Sequence, residues 1–240
     1  MSTARVDLEP AYVLHARSYR ETSLMLEVFT HTHGRIGLIA RGARRPKSAM
    51  RGLLSPFQPL RLSWSGRGEL QTLRDAELAG IAASLTGDQV LSGFYLNELL
   101  LKFLQRHDPH TDLFAHYAQT IAELAGASES AGIEPVLRRF ELGLLRESGY
   151  ALNLAEDAIT HEPLEPDAWY DFYPDRGAIP RQGEDTGLRF RGAELLAIDA
   201  GEFATPATTR AARRLLRAVI NTHLGDAGLR TRRVAAAMRR

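Results

Sequence analysis

The chain has 240 residues, about 1.6 domains at roughly 150 residues each, so two unequal domains are expected; its 44% hydrophobic and 25% charged content excludes a disordered, collagen-like or coiled-coil chain. With no cysteine, disulfides, thiol chemistry and cysteine-ligated zinc or iron–sulfur sites are excluded, and with no apolar run near the ~20 residues of a membrane helix and no apolar core in MSTARVDLEP, a soluble cytoplasmic protein with no membrane partner is expected. The formal charge of +1 conceals a segregation of sign, +5 over residues 1–80, −11 over 81–200 and +7 over 201–240, which bears on polyanionic partners rather than on fold.

The first 80 residues read as strands. Ala11-Tyr12-Val13-Leu14-His15-Ala16, Leu24-Met25-Leu26-Glu27-Val28-Phe29 and Arg35-Ile36-Gly37-Leu38-Ile39-Ala40 are short runs rich in β-branched and aromatic residues. Residues 57–64 and 69–78 alternate in the same way, and His33-Gly34 and Ser65-Gly66-Arg67-Gly68 supply turns. Five strands in about 70 residues predict a small closed barrel of the oligonucleotide-binding (OB) kind. Beyond Leu78 the hydrophobic period changes to about 3.6. Thr86-Gly87-Asp88-Gln89 fits a capping box, and Val90, Phe94, Leu96, Leu99, Leu100, Leu101, Phe103 and Leu104 surround the helix it opens, so that helix should be buried. Further helices are expected near 112–125, near 133–148 with Glu134-Pro135 in the first turn, and near 207–223 after Thr205-Pro206. Residues 151–190 are acidic, carry little periodicity and read as an irregular insertion. The expected class is α+β: an OB barrel over residues 1–80, then a mainly helical domain over 81–240.

The strongest local feature is a stretch without acids. Between Glu27 and Glu69 no Asp or Glu occurs, while Arg35, Arg41, Arg44, Arg45, Lys47, Arg51, Arg61 and Arg67 do. Five of these eight fall in the loop 41–51. Like charges at that density repel one another by a few tenths of a kcal/mol per close pair, so they are read as compensated by a ligand, a phosphate backbone, against the alternative of a merely solvated loop. Phe29, Phe57 and Trp64 are expected in the core, Tyr19 exposed.

Gly42-Ala43-Arg44-Arg45-Pro46-Lys47-Ser48 is rejected as a triphosphate loop, since Pro46 removes a backbone N–H and no glycine precedes the lysine. His31 and His33 lack a third metal ligand. Asp75 and Glu77 lie on one face of a strand, either as a magnesium pair in a nuclease or as charge partners for Arg74 or Arg61. On helix 133–148, Arg138, Leu142 and Leu145 follow one another at i, i+4 and i+7, either to hold an acidic peptide end or to face the core with Arg138 paired to Glu134 or Glu141. Helix 207–223 places Arg210, Arg214 and Arg217 opposite Leu216, Val219 and Ile220, followed by Arg230, Arg232, Arg233, Arg239 and Arg240; a membrane surface, a protein partner and nucleic acid all fit this basic stripe, and the barrel loop favours nucleic acid. No nucleophile elbow or triad can be drawn, and no cofactor is expected. An RNA-binding barrel of translation or RNA processing and a metal-dependent nuclease stand as alternatives.

Tyr12-Val13-Leu14-His15-Ala16-Arg17, Glu21-Thr22-Ser23-Leu24-Met25-Leu26-Glu27-Val28-Phe29-Thr30, Gly34-Arg35, Ala40-Arg41-Gly42-Ala43-Arg44, Pro56-Phe57, Gly66-Arg67-Gly68-Glu69, Tyr95-Leu96-Asn97-Glu98-Leu99, Leu137-Arg138-Arg139-Phe140-Glu141-Leu142 and Gly149-Tyr150 together resemble the RecO family of bacterial recombination mediators, in that family's order over most of the chain. The resemblance implies a non-enzymatic, nucleoid-associated mediator of the RecF pathway of DNA repair. Such a protein binds single- and double-stranded DNA (ssDNA and dsDNA) and anneals strands coated by single-strand-binding protein (SSB). With RecR it promotes RecA loading. It also implies that Arg35, Arg41, Arg44, Arg45, Lys47 and Arg51 contact DNA and that Arg138 receives the acidic C-terminal tail of SSB. Many members hold zinc with four cysteines after the Gly-Tyr motif; Asp157 and Thr160 occupy the corresponding stretch here, so the site cannot form, and packing around Trp169, Tyr170, Phe172 and Tyr173 is expected to hold residues 151–190.

Overall fold

A computed structural model describes residues 5–127, 129–181, 188–225 and 228–238. Strands β1 (Arg5–Tyr19), β2 (Ser23–Thr30), β3 (Gly34–Ala40), β4 (Leu60–Ser65) and β5 (Leu70–Leu78) close into a barrel in the order β1-β2-β3-β5-β4. Closure leaves no free edge. All neighbours are antiparallel except β3 and β5, which run parallel and pair only from Gly37 opposite Leu70 to Ile39 opposite Thr72. Alternate residues fill the interior: Val13, Leu26, Val28, Ile36, Leu38, Leu60, Leu62 and Trp64 are almost fully buried.

The run from Ala11 to Leu14 is buried without alternation, because β1 is covered on its outer side too. Helices α1 (Asp88–Phe103) and α2 (Thr111–Gly126) lie there. Tyr12 packs at 5.6 Å and 5.1 Å from the rings of Phe114 and Tyr117, and Phe29 at 5.4 Å from Phe114. Asn97 of α1 donates to Leu14 O at 2.9 Å and accepts from the Tyr117 hydroxyl at 2.6 Å. Burial, with the Tyr12 phenol nearby, pushes the Tyr117 hydroxyl well above its ordinary pKa, so it stays a neutral donor. The apolar girth of α1 is therefore buried in part: Leu96, Leu99, Leu100 and Leu104 are in the core, Val90, Leu101 and Phe103 are half-buried, and Phe94, expected inside, is 39% exposed.

Glu98 receives helix α6 (Arg230–Met238). Its carboxylate accepts the Arg230 and Thr231 backbone N–H groups at 2.7 Å and 2.9 Å and the Thr231 hydroxyl at 2.6 Å, capping α6 from another helix. Burial alone would raise the Glu98 pKa; the hydrogen bonds from Thr231 and Arg230 and the charge of Lys102 outweigh it and bring it below the ordinary value. Packing therefore groups β1–β5, α1, α2 and α6 into one unit, Met1–Ala127 with Leu229–Arg240. The barrel does not stand apart from every helix.

The second unit, Ser128–Gly228, pairs helices α3 (Glu129–Glu147) and α5 (Pro206–Leu224). The α3 helix starts before the expected first turn, leaving Pro135 in its interior at the cost of one helical hydrogen bond. Residues 151–190 are not irregular throughout: β6 (Trp169–Tyr173) pairs antiparallel with β7 (Gly177–Pro180) and β8 (Arg189–Arg191), and α4 (Gly192–Asp199) follows. Strands of three to five residues are too short to show a period. Of the four aromatic residues expected to hold this segment, Tyr170 and Phe172 are buried, joined by Phe190, whereas Trp169 is 41% exposed and Tyr173 half-buried. Where thiolates would hold zinc, the buried Asp157 carboxylate accepts the Ile159 and Thr160 backbone N–H groups at 2.7 Å and 3.2 Å, closing the turn by itself. No helix among the described residues is long and apolar enough to cross a membrane.

Candidate nucleic-acid interface

The loop between β3 and β4 is folded by its apolar residues. Ala43 and Leu54 are buried in the barrel core, Met50 packs against it, and the Phe57 ring meets Phe94 at 5.1 Å. Gly42 takes a positive φ of 70°, open to glycine without strain, and three successive turns follow: Arg45 N donates to Gly42 O at 3.0 Å, Ser48 N to Arg45 O at 3.0 Å and Arg51 N to Ser48 O at 3.1 Å. Arg44 N donates to Thr22 O at 2.9 Å, tying the loop to the β1–β2 turn. With the apolar side chains turned inward, Arg41, Arg44, Arg45, Lys47 and Arg51 are all exposed. The Arg44 guanidinium donates to Glu21 O at 3.2 Å, and no carboxylate among the described residues pairs with any of the five.

Arg35 does not join them. Its side chain is 17% exposed, paired to Glu27 at 3.0 Å with Nε donating to Leu104 O at 3.0 Å. Glu27 stands opposite Gly37, so Arg35 is its diagonal neighbour across the β2–β3 ladder, a relation that linear charge counting misses. Conversely, the structure adds Arg17 and Arg20. Both are exposed, Arg17 near the end of β1 resting on Met25 Sδ at 2.9 Å and Arg20 on the turn that Arg44 touches, over the half-buried Tyr19 ring at 5.3 Å. They precede Glu27 and so fall outside the acid-free stretch.

In the second unit, α5 buries Ala211, Ala212, Leu215, Leu216, Val219 and Ile220 and exposes Arg210, Arg214 and Arg217, as its periodicity predicts. Arg214 lies over the Phe190 ring at 4.4 Å and donates to Arg189 O, so Arg210 and Arg217 are the more available. Arg213 adds a fourth exposed cation, paired with Glu134 at 3.4 Å. Arg230 and Arg233 of α6 are exposed and Arg232 donates to the Tyr95 hydroxyl at 3.0 Å; Arg239 and Arg240 lie outside the described residues.

Arg138 is 5% exposed and its guanidinium meets Glu141 at 2.9 Å and Glu134 at 3.8 Å. Leu145 is buried and Leu142 half-buried. This is the core-facing arrangement of the two read from the sequence. Glu134, half-exposed, spans Arg138 and Arg213, and Arg138 Nε has no hydrogen-bond partner among the described residues.

Asp75 and Glu77 are exposed on β5, Glu77 directly opposite Arg61. The His31 ring packs on Phe114 at 5.4 Å and the His33 ring on Trp64 at 5.3 Å. Among the described residues no three His, Asp or Glu side chains gather as a metal site.

The family model for the recombination protein O N-terminal domain matches residues 5–82 and that for the C-terminal domain residues 85–233. The chain is 48% identical over 237 residues to the DNA repair protein RecO of Polynucleobacter asymbioticus, covering 98% of this chain and 97% of that one. It is 47% identical to the DNA repair protein RecO of Ralstonia nicotianae, covering 96% and 84%, and 45% identical to that of Nitrosococcus oceani, covering 98% and 95%. Barrel, helices and ordered motifs agree with these matches along nearly the whole length, and the chain belongs to the recombination protein O (RecO) family of DNA repair and recombination.

Proposed function

We propose that the protein is a non-enzymatic recombination mediator that binds single- and double-stranded DNA through the 41–51 loop and anneals complementary strands. The observation that carries this reading is the loop itself: five exposed cations held outward by buried Ala43 and Leu54 without carboxylate partners among the described residues. Annealing is opposed by repulsion between two phosphate backbones, and cations on the loop and on α5 neutralise it. Family membership supports RecR as a partner in RecA loading. A salt series of ssDNA binding tests the electrostatic core of the proposal: five phosphate contacts give a log–log slope near −3.5. A slope flatter than about −1, or tighter binding to RNA of the same sequence, would overturn it.

A second element is the docking of an acidic peptide end, that of SSB, on α3. It is supported by Glu134, a half-exposed carboxylate between Arg138 and Arg213 in the position that an incoming carboxylate would take. Exchange of one carboxylate for another leaves the buried guanidinium compensated throughout. Glu134→Gln should tighten binding of an SSB-tail peptide several-fold and Arg138→Ala should remove it, read by fluorescence anisotropy; a peptide indifferent to both variants would reject the site.

A further inference from the structure

The barrel has a second feature, at the end away from the basic loop. Because β5 pairs with β3 only from Gly37 onward, the first residues of β3 are left without β5 as a neighbour. Their other flank is taken by the segment after α1: His107 N donates to Arg35 O at 3.0 Å, and Asp108 O approaches Gly34 so closely that a Cβ there would stand 2.1 Å from it. Between β3, this segment and the Gly66–Gly68 turn opens a cavity of about 500 Å³, within the roughly 300–1,000 Å³ of small-molecule sites.

The cavity is lined by the half-buried Val6, His33 and Gln71 and the exposed His107, Glu69 and Arg67, with the core residues Ile36 and Trp64 behind them. Trp64 is 1% exposed, with the His33 ring edge-on at 5.3 Å. His107 holds a positive φ of 61°, a strained conformation for a residue with a Cβ, and such strain gathers at binding sites.

We propose that this cavity takes one unpaired nucleobase of a bound strand. The ligand that matches two imidazole rings beside an amide, a carboxylate and a guanidinium is a flat heterocycle that stacks on the rings and whose edge both donates and accepts hydrogen bonds. In a duplex that edge is already used, so the cavity discriminates strands awaiting a complement from strands that have found one. The cations of the 41–51 loop bind phosphate in either form and cannot make that distinction. Capture of an unpaired base and its release on pairing would give an annealing scaffold a direction. This inference rests on the reading of the barrel as a strand-binding surface, and it adds the group that tells single from double strand.

The chain has two tryptophans, so Trp169→Phe leaves Trp64 as the sole reporter. The experiment titrates that full-length variant with a labelled 12-nucleotide thymidine strand, an abasic strand of the same length and thymidine monophosphate, following Trp64 emission and strand anisotropy together. The thymidine strand should change Trp64 emission and bind about tenfold tighter than the abasic strand, which binds through its phosphates without changing emission. The added substitution His107→Gly, which removes a ring and relieves a positive φ rather than straining the fold, should abolish the emission change and the tenfold advantage without lowering the melting temperature. Equal affinities with no emission change would overturn the base site alone. Emission saturated by the free monophosphate as tightly as by the strand would also overturn it, in favour of a free-nucleotide site. Failure of both strands to bind would remove the strand-binding reading together with this one.

Discussion

Replacement of Arg44, Arg45 and Lys47 together by glutamate should abolish annealing of complementary oligonucleotides while the protein melts within about 2 °C of its parent. The two halves of that result have separate causes. Stability is spared because the loop is shaped by Ala43, Met50 and Leu54 and by backbone turns at Gly42, Arg45 and Ser48; among the described residues only Arg44 of the three uses its side chain in hydrogen bonds, to the exposed carbonyls of Arg20 and Glu21, and exposed contacts of that kind contribute at most about 1 kcal/mol. Function is lost because three phosphate contacts become three repulsions within a Debye length of about 10 Å at 0.1 M salt. Loss of three contacts should flatten the salt slope by about 2, and the added repulsion should weaken ssDNA affinity at least a hundredfold at low salt. Fluorescence-based annealing and anisotropy at several salt concentrations measure both. Undiminished annealing would mean that the loop is solvated decoration and that the strands are gripped elsewhere.

What was legible in the sequence follows the range of the interactions concerned. The barrel strands and the buried α1, α2 and α5 faces are written in local periodicity, and the basic loop is written as a gap in the acids, so both could be read from neighbours along the chain. The sheet of residues 169–191 could not, since Gly177–Pro180 and Arg189–Arg191 hold too few residues to alternate and are strands only because Trp169–Tyr173 lies between them. The α6 helix was hidden for a different reason: its run Arg230-Thr231-Arg232-Arg233 has a weak apolar face, and its first turn is completed by Glu98, 132 residues earlier in the chain. The same limit governs the site. Arg44 and Arg45 are exposed because their neighbours are small or apolar, which sequence shows; Arg35 and Arg138 are committed to Glu27 and Glu141, and the Arg35 partner is fixed only by strand register.

Glu27 shows how large the consequence of such a partner can be. Its two carboxylate oxygens are divided between Arg35 and Arg106, and Arg106 in turn donates to Glu69 O at 3.2 Å, so one side chain joins β2, β3, the start of β5 and the segment after α1. Glu27→Ala leaves two guanidinium groups, 17% and 26% exposed, without their counter-charge in a region packed so closely that a Cβ at Gly34 or Gly37 would clash with its neighbours. Removal of one partner from a buried ion pair costs about 3–5 kcal/mol, and the residual exposure here places the expected loss near the lower end, about 3 kcal/mol. For a chain of this size that is a fall in melting temperature of about 6–12 °C. Arg35→Ala should fall less, because the remaining Glu27 keeps Arg106, and it should leave the salt slope of DNA binding unchanged. Thermal melting together with the salt series separates the outcomes: a stable Arg35→Ala protein whose slope flattens by about 0.7 would return Arg35 to the DNA-binding surface. An unaltered slope in a destabilised protein makes it a strut of the barrel.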